Sequence, residues 1–60
     1  MKQHFYYHDF GIGWRVMRRD YHTIEVEGQV LNTHEDTIIY EFVCNERVAE
    51  RLAYNRNISS

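Results

Sequence analysis

The chain has 60 residues, 43% hydrophobic, 15% aromatic and 27% charged, with a formal net charge of −2 and no proline. That length holds one small domain and no second, and no apolar run approaches the roughly 20 residues a transmembrane helix needs. With Cys44 as its one cysteine the chain has no intrachain disulfide, and its first residues lack the apolar run of a signal peptide, so a reduced, cytoplasmic setting is expected.

In chain order, Phe5 to Phe10 is aromatic-rich and reads as a first strand. Gly11-Ile12-Gly13 then reads as a hairpin turn, and Trp14 to Arg19 as a second strand ended by a loop at Asp20-Tyr21-His22. Segment 23–31 carries the clearest period of two, with Ile24, Val26 and Val30 alternating against Glu25, Glu27 and Gln29. Asn32 to Asp36 reads as a polar loop, and Thr37 to Val43, β-branched and aromatic, as a fourth strand.

From Asn45 onward good helix formers take over, with Val48/Leu52 and Ala49/Ala53 spaced four apart and Asn45 placed to cap them. A rival division caps a single long helix at Thr33 and runs it from 34 to 55. Against it stand the β-branched Thr37, Ile38, Ile39 and Val43, and Glu46, which would fall inside its apolar stripe. The expected fold is therefore α+β: a single domain over residues 1–60, with a small antiparallel meander of three to four strands and one C-terminal helix packed on one face.

Pairing these segments by parity sets Phe10 beside Trp14, Asp9 beside Arg15 and Tyr7 beside Met17. It further sets Val16 opposite Val26, Arg15 opposite Glu27 and Trp14 over Gly28, with Val30 by Ile38 and Val26 by Phe42. One face then holds Tyr6, Phe10, Trp14, Val16, Ile24, Val26, Val30, Ile38, Tyr40 and Phe42 as the core. The opposite face combines Phe5, Tyr7, Met17, Ile39 and Val43 with Asp9, Arg15, Arg19, Glu25, Glu27 and Glu41. One short helix cannot cover both, so apolar side chains rimmed by charge are expected to form an interaction surface, with a homodimer as one use of it.

Catalytic and metal chemistry find little support. His4 and His8 would stand about 13 Å apart on a strand, too far for one ion, and His22 and His34 fall in loops. Zinc-type cysteine pairs are absent. Cys44 lies at the strand-to-helix junction, where a buried, inert thiol is the ordinary outcome. Gly11-Ile12-Gly13 is too short for a phosphate-binding loop. No catalytic residue, cofactor or metal is expected.

Charge is uneven. Residues 1–22 hold four of the seven basic side chains and six of the nine aromatic ones, whereas seven of the nine acids follow residue 22. Two expectations result. The first is a non-catalytic protein-interaction module, an acidic inhibitor or regulator of the kind mobile elements and phages carry (an analogy of size and charge alone). It would use Phe5, Tyr7, Met17, Ile39 and Val43 with Glu25, Glu27 and Glu41. The second is a single-strand nucleic-acid-binding hairpin using Trp14, Arg15, Arg18 and Arg19 with Tyr7, opposed by the negative total charge.

Overall fold

Valine, isoleucine, threonine and aromatic residues crowd the first three-quarters of the chain, and there the backbone is almost entirely extended. The computed structural model describes residues 2–59. Strands β1 (Lys2–Asp9), β2 (Trp14–Val26) and β3 (Gln29–Val43) form an antiparallel meander in the order β1-β2-β3, followed by helix α1 (Glu46–Ser59). The fold is α+β, with α1 packed on one face of the sheet over β1 and β2. Asn45 caps the helix: its Oδ1 accepts the Arg47 and Val48 N–H groups at 2.8 and 3.3 Å, and its carbonyl takes the first helical bond from Ala49. Residues 34–43 are strand, which removes the single long helix.

Two expected loops are strand as well. Asp20-Tyr21-His22 and Asn32–Asp36 face each other in the ladder, with Asp20 opposite Glu35, Tyr21 opposite His34 and His22 opposite Thr33. Their polar composition marks the end of the three-stranded sheet and the start of a two-stranded ribbon, not a break in pairing. The chain reverses instead at Glu27-Gly28, where φ is 51° and 81°, the doubly positive backbone of a two-residue type I′ hairpin. Gly28 is thus a turn residue, and Trp14 pairs with Val43 instead of covering it.

The first hairpin also differs from the parity reading. The Phe10 N–H donates to the Gly13 carbonyl at 3.1 Å and closes a loop of residues 10–13, so Asp9 pairs with Trp14, His8 with Arg15, Tyr7 with Val16 and Tyr6 with Met17. This one-residue shift carries β1 to the opposite face. Phe5 and Tyr7 turn toward the helix, and Tyr6 turns away from it.

The buried core is Phe5, Val16, Ala49 and Ala53, with Tyr7, Trp14, Ile39, Val43 and Leu52 packed around it. Between the pairs Trp14–Val43 and Met17–Ile38 the register shifts twice, each time with an extra residue on β3. As in a β-bulge, consecutive side chains then reach the helix side: Ile39 packs on the core, and the Tyr40 hydroxyl accepts from Arg56 Nη2 at 3.3 Å.

Asn57 completes the packing from the far end of α1. Its Oδ1 accepts the Phe5 N–H and its Nδ2 donates to the Phe5 carbonyl, both at 2.8 Å. Those are the two backbone groups that Phe5 turns away from β2, so one side-chain amide occupies the middle of the β1 edge as a neighbouring strand would.

Candidate interaction surface

β1 pairs with β2 only as far as Tyr21, so His22–Val26 and Gln29–Thr33 run on alone as an arm of about 17 Å at 3.3 Å per residue. The arm makes the molecule a slab of 45 × 27 × 12 Å with a radius of gyration of 14.0 Å, against about 10 Å for a compact chain of this length. Ile24 lies directly opposite Leu31. By the two-residue alternation Val26 shares their face, the same side of the sheet as α1 but beyond its reach. These three side chains are 44%, 45% and 46% exposed for Ile24, Leu31 and Val26. Glu25 and Val30 form the pair on the reverse face, and Glu27 stands at the tip.

The helix-free face of the base mixes Tyr6, Met17 and Ile38 with charges that pair among themselves. Arg19 donates to Asp36 through Nε (2.8 Å) and Nη2 (3.2 Å) and lies 5.0 Å from the centre of the Tyr6 ring. The Arg19 guanidinium holds the Asp36 carboxyl below the usual carboxylate range. Partial burial, and then the Asp36 charge, push the Tyr6 phenol above its ordinary value. His4 and His8 flank the Tyr6 ring, with centroids at 6.4 and 6.3 Å, and Tyr21 meets His34 at 6.2 Å. Among the described residues no three His, Cys, Asp or Glu side chains converge on a point that could hold a metal.

The expected interface residues fall in three places. Phe5, Tyr7, Ile39 and Val43 are not open: they form or border the core beneath α1, because the register shift of β1 and the bulges of β3 turn them inward. The Tyr7 hydroxyl donates to Glu50 Oε2 at 3.2 Å, and partial burial followed by this carboxylate raises its pKa. Met17 alone of the apolar set lies on the helix-free face, across from Ile38. Glu25 and Glu27 belong to the arm, and Glu41 sits on β3 at 3.8 Å from Arg15. Of the residues expected in the core, Tyr6, Val30 and Ile38 lie on the helix-free face, and Ile24 and Val26 are exposed on the arm.

The four residues expected to hold nucleic acid are split between faces. Trp14 is half-buried against Tyr7 with ring centres 5.8 Å apart, and Arg18 pairs with Asp20 at 3.0 Å on the helix side. Arg15 stacks 4.0 Å over Phe10 and Arg19 is engaged by Asp36, both away from the helix. Every arginine of the set therefore has an acidic neighbour. Cys44 is exposed, not buried.

The parity reading did not reach the arm, with Ile24, Val26 and Leu31 acting together. The signal for it was Glu27-Gly28: a two-residue reversal places positions summing to 55 opposite one another, which unites Leu31, and not Val30, with Ile24. No helix among the described residues is long and apolar enough to cross a membrane. Compared with known proteins, the chain matches no family model, no curated sequence and no solved structure.

Proposed function

We propose that this chain is a non-catalytic protein-interaction module whose β2–β3 arm makes the contact. The observation that carries this reading is the projecting ribbon itself, with Ile24, Val26 and Leu31 half exposed on one face and nothing of their own chain to cover them. An unpaired two-stranded ribbon is marginal in water, and a contiguous apolar face on it is the ordinary mark of a docking surface. The arm and its turn carry Glu25 and Glu27 and no Lys or Arg, so its partner presents an apolar surface edged with positive charge, as the target of a small acidic inhibitor or regulator does.

The test is capture from cell extract by the tagged chain and by two variants. Ile24→Lys with Leu31→Glu replaces the apolar pair by an opposite-charge pair that still suits the ladder, and Met17→Lys changes the helix-free face. Stoichiometric recovery of a protein, a second copy included, by the parent and Met17→Lys but not by the arm variant is expected. Recovery that survives the arm variant, or recovery of nucleic acid alone, overturns the reading.

A further inference from the structure

We infer that the occupant of the arm is a second copy of this chain, and that the arm of each copy seats on helix α1 of the other. The inference rests on the reading of the arm as the contact surface and adds the partner and its docking site.

The exposed side of α1 carries a shallow groove of about 270 Å³ lined by Arg47, Val48, Arg51, Leu52 and Asn55. Val48 is 49% exposed there, and Val48 and Leu52, four apart, form an apolar row with Arg47 and Arg51 in the row beside it. Among the described residues neither Arg47 nor Arg51 has an ion-pair partner. The arm offers the complement, an apolar strip of Ile24, Leu31 and Val26 between Glu27 at the tip and Glu35, which the register places on the same face. From Asp20 to Glu46 the chain contains no Lys or Arg.

Charge also decides between the two ways in which copies could associate. Arm on arm brings acid against acid at the rim of the contact, whereas arm on helix brings Glu27 and Glu35 toward Arg47 and Arg51. A copy cannot satisfy its own groove, because its strands carry the arm away from the helix as one extended ribbon. Two copies related by a two-fold axis satisfy both grooves at once.

Area supports the pairing. The chain exposes 4753 Å², about 500 Å² more than the about 4,200 Å² expected of a compact monomer of its mass. Returning both copies to the compact norm removes about 1,000 Å², the lower bound for a specific interface. With only four buried residues among those described in one copy, oligomerisation is also the usual reinforcement for a domain this small.

The decisive experiment is sedimentation equilibrium of the full chain and two charge-reversed variants. One variant carries Glu27→Arg and Glu35→Arg, so that arm and groove are both positive; the other carries Arg47→Glu and Arg51→Glu, so that both are negative. The parent is expected to be a dimer. Each variant alone is expected to dissociate with a constant raised at least about tenfold, and an equal mixture to dimerise again, since both reciprocal contacts are then complementary. The mixture also shows that both variants are folded.

A dimer that neither variant weakens, or a mixture that stays monomeric, overturns the arm-on-helix contact. A parent that is monomeric throughout, yet still captures a different protein through Ile24 and Leu31, overturns the second copy as occupant and leaves the interaction module standing. Loss of capture as well removes both.

Discussion

The two ends of the β2–β3 hairpin are built from similar residues and held by different means. At the base, β1 lies beside it and α1 above it, so Val16 is fully buried. In the arm, Ile24 and Leu31 face each other across the ladder and stay about half exposed. Strand propensity and pairing suffice to shape a ribbon, but only a third strand and a helix give it an inside. Stability therefore concentrates in the base, and unpartnered surface in the arm.

The largest effect that would break this comparison is on the core. Phe5→Ala removes a ring between the sheet and α1 and is expected to cost about 3–5 kcal/mol, enough to unfold a domain this small. Ile24→Ala in the arm is expected to cost under about 1.5 kcal/mol in the monomer, since half of that side chain already meets water. Chemical denaturation followed by circular dichroism compares the two, and equal losses would show that the arm is as much a part of the core as Phe5.

Asn57→Ala comes next, at about 1–2 kcal/mol, because it leaves the Phe5 N–H and carbonyl without their partner. Hydrogen exchange at the Phe5 amide should rise sharply in this variant, while exchange in the arm, expected to be the fastest of the strand amides, should not change. Glu27→Asn is expected to stabilise by about 0.5–1 kcal/mol, since Asn tolerates the positive φ that Glu adopts with strain. For a domain of this size that raises Tm by roughly 2–8 °C, and an unchanged Tm would mean that the turn is not held in the type I′ form.

The smallest effect is electrostatic. The folded state depresses the Asp36 carboxyl, so its contribution is present above the ordinary aspartate pKa and fades as pH falls through the lowered folded value. Asp36→Asn should therefore cost a small amount of stability at neutral pH and flatten the loss on acidification, the variant and the parent converging below about pH 4. An acid limb of unchanged slope would show that the pair with Arg19 does not survive in solution.

Much of this fold was legible in local chemistry. Asn45 and the spacing of Ala49 and Ala53 mark the helix, and the β-branched residues from Thr37 to Val43 mark strand against a strong helical rival. Register was not legible, because it depends on how each hairpin closes. Moving from a three- to a four-residue loop at Phe10–Gly13 reverses which of Tyr6 and Tyr7 enters the core. Glu27-Gly28 lacks the Asn or Asp that usually announces a type I′ turn, so the alternation of residues reads straight through it. The bulges of β3, which turn both Ile39 and Tyr40 toward α1, arise from packing beneath the helix and leave no trace in the alternation of residues. The exposed apolar side chains were misplaced for the same reason: their apolar character was visible, but the face that bears them follows from register.

The amide of Asn57 has one more consequence, for polymerisation. A sheet with two free edges can add copies head to tail, the β3 of one molecule on the β1 of the next, and that heterologous contact repeats into a fibril. With the middle of β1 already occupied, head-to-tail growth has no template. The β3 edge stays open, and against another β3 it makes a contact that closes on itself after two molecules. A single side chain near the C-terminus of the helix thus acts as a chain terminator for a sheet whose strands are otherwise well suited to amyloid.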